Sequence, residues 1–83
     1  PNFEQECADA FDIFIKEHEN WNADQILFVR TVKNTISKKG KMDISDLFEA
    51  PFDRIGTLSK LFEEDDVEDI IQICKTLEKR NNA

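Results

Sequence analysis

Only four residues that break regular structure occur in this chain: Pro1, Gly40, Pro51 and Gly56. An all-β sandwich or barrel needs a turn about every 8–12 residues, usually built on Gly, Pro, Asn or Asp. Two Gly and two Pro cannot punctuate 83 residues at that rate. Apolar residues instead recur three and four apart over long unbroken stretches, the spacing of one helix face. The chain therefore reads as all-α: a small bundle of three main helices plus two short helical turns, in one domain spanning 1–83.

The first helix is expected from about Phe3 to His18. Phe3, Cys7, Phe11, Phe14 and His18 share one face, with Ala10 and Ile15 beside them. Asn2 stands where a cap belongs, and Gln5, three residues on, takes the reciprocal capping position. Glu4 and Glu6 suit the positive end of the helix dipole.

The second helix carries the clearest start signal. Asn22 and Gln25 form a capping box, and Trp21 and Ile26 hold the two positions of a hydrophobic staple. Ile26, Val29, Val32 and Ile36 make its stripe, and Leu27 and Phe28 widen it. Such breadth implies a central helix. Lys38 and Lys39 followed by Gly40 mark its end.

Asp43 reads as the cap of a short helix that Pro51 stops near Glu49 or Ala50. Phe52 and Ile55 lead into a connector, and Thr57 reads as the cap of one further turn with Leu58, Leu61 and Phe62 inward. The last helix is expected from about Glu64 to Arg80, striped by Val67, Ile70, Ile71, Cys74 and Leu77. Six acids stand at its start (Glu63, Glu64, Asp65, Asp66, Glu68, Asp69), and Lys75, Lys79 and Arg80 stand near its end, as the dipole prefers. Asn81, Asn82 and Ala83 are expected to fray.

Composition excludes several classes. No apolar run approaches the ~18 residues of a membrane span. Seven Phe and one Trp argue against disorder. The first residues show no basic segment followed by an apolar one, so no signal peptide is read. Cys7 and Cys74 lack metal-ligand spacing and sit on apolar faces, which reads as buried free thiols in a reducing cytoplasm.

Candidate chemistry is sparse. His18 is the sole histidine, and among Glu17, Glu19 and Asn20 it reads as a solvated cation at a helix end. The acids from Glu63 to Asp69 lack the glycine and spacing of a calcium loop. No glycine-rich phosphate cradle is present. No catalytic, cofactor-binding or metal-binding residue is assigned, and no small-molecule substrate or membrane partner is expected.

Two stretches invite binding. Between Gln25 and Met42 there is no acid, while Arg30, Lys33, Lys38, Lys39 and Lys41 are candidates for phosphate contacts despite the net charge of −7. Leu47, Phe48, Phe52, Leu58, Leu61 and Phe62 exceed what two short turns usually bury. They either roof the core or expose a patch for a protein partner.

The order of these signals resembles the C-terminal helical domain of the restriction (R) subunit of type I restriction-modification enzymes, the EcoEI-type family. Asn22-Ala23-Asp24-Gln25-Ile26 followed by Phe28 resembles the family's helix start. Gly40-Lys41-Met42-Asp43 resembles its turn, and Leu47-Phe48-Glu49-Ala50-Pro51-Phe52 its next segment. Leu61-Phe62 ahead of Val67, Ile70 and Ile71 resembles its close, with Phe11, Phe14 and Ile15 ahead of Trp21 fitting the opening helix. Asp53 to Ser59 departs from the pattern, and nothing is carried onto it.

The resemblance implies a chain whose nuclease and motor domains precede this segment, and Pro1 at its start suits an excised piece of that longer chain. The parent would be a type I site-specific deoxyribonuclease using ATP and Mg2+ to translocate and cut DNA, while this domain would hold no cofactor and catalyse nothing. Its implied task is to dock the R subunit onto the methyltransferase and specificity subunits, in the cytoplasm, reaching DNA through the complex. An accessory DNA-contacting module and a free-standing helical adaptor are the alternatives.

Overall fold

The computed structural model describes residues 2–82. Three long helices carry the fold: α1 (Phe3–Lys16), α2 (Ala23–Lys39) and α5 (Glu64–Asn81). Between α2 and α5 lie a 3₁₀ turn (Ile44–Phe48) and two one-turn helices, α3 (Phe52–Ile55) and α4 (Leu58–Leu61). The third short element is an addition to the sequence reading, which left Phe52 to Ile55 as connector. There are no strands among the described residues.

The helix ends follow local chemistry with instructive exceptions. At α2 both arms of the capping box form: Asn22 Oδ1 accepts from the Gln25 amide at 2.9 Å, and Gln25 Oε1 accepts from the Asn22 amide at 2.8 Å. Gly40 closes α2 at φ 78°, a conformation that costs an L side chain about 1–2 kcal/mol. At α1 only half of the expected box exists. Asn2 Oδ1 accepts from the Gln5 amide at 2.7 Å, but the Gln5 side chain turns forward and donates to Asp9. Asp43 and Thr57 stand at their cap positions without a side-chain capping bond, so the caps read there are corrected: backbone hydrogen bonds alone close those turns.

Helix α1 runs antiparallel to both long neighbours. Along α1, Cys7 lies by Ser37 while Asp12 meets Lys33, so α2 passes in the opposite sense. Likewise Cys7 lies by Cys74 while His18 meets Asp66. The parallel α2 and α5 end together, where Asn81 Nδ2 donates to the Gly40 carbonyl at 3.3 Å. Asn81 is therefore the last residue of a tied helix end rather than a frayed tail. Ala83 lies outside the described residues.

The core is one cluster, drawn from all three long helices and from each short turn. A chain of aromatic contacts runs through it: Phe14 to Trp21 at 5.2 Å, Trp21 to Phe62 at 5.2 Å, Phe62 to Phe28 at 5.5 Å, and Phe28 to Phe52 at 5.1 Å. Tilted and edge-on pairs of this kind add about 0.5–1.5 kcal/mol each beyond area burial. They join α1, the α1–α2 loop, the end of α4, α2 and α3 in one continuous seam. Helix α2 is central, touching α1, α3 and α5, yet Leu27, expected to widen its buried stripe, faces solvent.

Candidate functional site

The connector between α2 and α5 holds the residues proposed for docking, and most of them point inward. Leu47, Phe52, Leu58 and Phe62 are buried, and Leu61 is half-buried. Of the set, Phe48 alone is exposed, at 42%. Of the two arrangements open to these residues, most of them take the roof, and Phe48 alone stays outside it. Phe52 fills the space against Phe28, and Phe62 the space between Trp21 and Phe28. Gln25 locks the roof down, its Nε2 donating to the Leu61 carbonyl at 2.8 Å. One residue thus starts α2 and holds α4.

The basic segment divides. Arg30, Lys38, Lys39 and Lys41 are exposed and make no ion pair among the described residues. Lys33 is half-buried, and its Nζ sits 3.1 Å from Asp12 Oδ1 on α1. That ion pair ties α1 to α2, and the other four cations make none among the described residues.

His18 also differs from expectation. Its ring stacks on Trp21 at 4.1 Å, Nδ1 lies 2.8 Å from the Phe14 carbonyl, and Nε2 lies 3.1 Å from Asp66 Oδ1. The carbonyl and the carboxylate are both acceptors, so a ring N–H facing either one donates to it. The residue read as a solvated helix-end cation instead ties the end of α1 to the acidic start of α5. No group of three or more His, Cys, Asp or Glu among the described residues is arranged to hold a metal ion.

Cys7 and Cys74 are both free and fully buried, as the sequence implied. Burial pushes the Cys74 thiol up to about 12, with the neighbouring Cys7 and Glu78 adding to the shift. Burial also raises Cys7, partly opposed by a hydrogen bond with Ser37. Thiols held this way stay protonated and unreactive at neutral pH.

The surface feature that sequence reasoning missed is a groove of about 380 Å³ on the outer side of α1 and α5. Ala10, Ile13, Ile73 and Leu77 line it. Ile13 is the most exposed of the large apolar side chains, at 59%. A signal was available: Ile13 and Ile73 are the two isoleucines of these helices that stand off the core stripes. Off those stripes Ile13 faces solvent and Ile73 sits half-buried at the edge of the core.

The fold is an all-α domain in which Asn22, Gln25, Lys33, His18 and Asn81 make the helix cap and interhelix ties. The EcoEI R protein C-terminal family model matches residues 1–78, and the chain belongs to that family, the C-terminal domain of the R subunit of type I restriction enzymes. No curated protein and no solved structure is found to match. No helix among the described residues is long and apolar enough to cross a membrane.

Proposed function

We propose that this is a non-catalytic assembly domain that docks the R subunit of a type I restriction enzyme onto its methyltransferase core. The observation that carries the reading is the family match over residues 1–78. A complete aromatic core that leaves Ile13 exposed at 59% supports it, since that side chain is surplus to folding. In this reading ATP, Mg2+ and the nuclease chemistry belong to other parts of the R subunit. DNA and the specificity and modification subunits are met through the complex.

The test is assembly. An R subunit lacking these residues is mixed with purified methyltransferase core, and complex formation is followed by light scattering. Loss of the complex is expected. A deletion that assembles like the intact subunit would defeat the reading.

A second reading rests on Arg30, Lys38, Lys39 and Lys41, four exposed cations without ion partners among the described residues. They could contact the DNA backbone alongside docking, with Lys33 beside them already paired to Asp12. Anisotropy with duplex DNA checks it. Replacing the four with Ala should reduce a binding that weakens steeply with salt. Indifference to the substitution removes the DNA role.

A further inference from the structure

Resting on the docking reading, we propose that the α1–α5 groove is the contact surface, and that its occupant is an amphipathic helix of the methyltransferase core with Lys or Arg flanking its apolar stripe.

The groove suits a helix. Two antiparallel helices form its walls, and Ala10 keeps the α1 side low so that another backbone can come close. The opposite flank of α1, carrying Ala8 and Asp12, is taken by α2. From Glu6 to Glu17 the α1 wall extends about 17 Å at 1.5 Å per residue, or three helical turns. Pairing with an extended strand would need an open sheet edge, and the described residues contain no strand.

The rim specifies charge. Glu6 and Asp9 border the apolar floor, and Glu17 and Asp69 border its continuation toward His18. None of these four makes an ion pair among the described residues, and Arg80 is the one Lys or Arg that lines the groove. A partner with cations beside its apolar stripe neutralises this rim, and complementary charge also speeds encounter. Nucleic acid would be repelled here. A second copy seated by two-fold symmetry would set the same acids against themselves.

The experiment measures the affinity of full-length R subunit for purified methyltransferase core, using four R-subunit forms beside the wild type. These are deletion of this domain, Ile13→Asp, the pair Glu17→Lys and Asp69→Lys, and Leu27→Asp as a control on α2. Ile13→Asp should raise Kd at least about tenfold, comparable to losing one buried aliphatic side chain. The charge-reversal pair should also raise Kd, with an effect that shrinks as salt is added. Leu27→Asp should leave Kd unchanged. Circular dichroism of each form checks the fold, which these exposed positions leave intact.

The outcomes separate the two ideas. If deleting the domain leaves assembly intact, the docking reading falls and the groove proposal with it. If deletion abolishes assembly while Ile13→Asp binds normally, docking stands and the groove is overturned. Equal losses from Leu27→Asp and Ile13→Asp also overturn it. Loss with Ile13→Asp but none with charge reversal rejects the basic helix as occupant.

Discussion

The connector from Ile44 to Phe62 and the outer side of α1 and α5 both carry large apolar residues beyond the obvious helical stripes. One region hides them, while the other displays Ile13 and leaves Ile73 half-buried at the edge of the core. In the connector, Leu47, Phe52, Leu58 and Phe62 turn inward because each turn is short and can be oriented independently above α2. On α1 and α5, Ile13 and Ile73 have no such freedom. The helix geometry fixes their direction once the Phe11–Phe14 and Ile70–Cys74 faces are buried. An apparent apolar surplus in short turns is thus weak evidence for a surface, whereas one off-stripe isoleucine on a long helix is stronger.

The contrast can be broken most directly in the roof. Phe52→Ala should cost about 3–5 kcal/mol, the usual range for emptying a buried aromatic site. Urea denaturation of the 83-residue chain measures it, and a loss under about 1 kcal/mol would mean that the roof is loosely packed.

Alkali probes the inner side of the same two helices whose outer side is open. Cys74 has its folded thiol pushed up to about 12 from an ordinary value of 9.0. Between those values the unfolded chain releases the proton and the folded chain keeps it, so stability falls as pH rises. The slope approaches about 1.4 kcal/mol per pH unit for this thiol, and Cys74→Ala should flatten it. An unchanged slope in that variant would place the seam open to water.

Gly40→Ala sharpens the comparison at the entry to the connector. A left-handed Ala costs about 1–2 kcal/mol, and its Cβ would stand 2.6 Å from Asn81 Nδ2. Part of the loss should disappear when Asn81 is also replaced by Ala, as a double-mutant cycle would reveal. The smallest effect belongs to the groove. Ile13→Ser should shift stability by no more than about 0.5 kcal/mol, the ordinary range for an exposed position. A larger thermal or urea shift would mean that Ile13 belongs to the core.

Much of the fold was legible in the order of residues. The three long helices, the Asn22–Gln25 box and the Gly40 stop lie within a few residues of where spacing and capping put them, because those signals act locally. The family was legible too, from several weak motifs in matching order. What failed were statements about direction and partnership. Leu27 was given to the core and faces out. The Asp12 partner of Lys33 was not foreseen. His18 was given to solvent and joins Trp21 and Asp66.

By itself, then, the chain's sequence determined an all-α domain, its helix ends, its buried thiols and its family. Periodicity, capping and glycine stereochemistry operate within a few residues of one another, so they can be read along a line. Tertiary structure alone decided that the Phe-rich connector is a roof, that one basic residue is spent on packing, and that a groove with acids on its rim lies between α1 and α5. Those outcomes depend on which helix flanks meet, and residues far apart in sequence set them together.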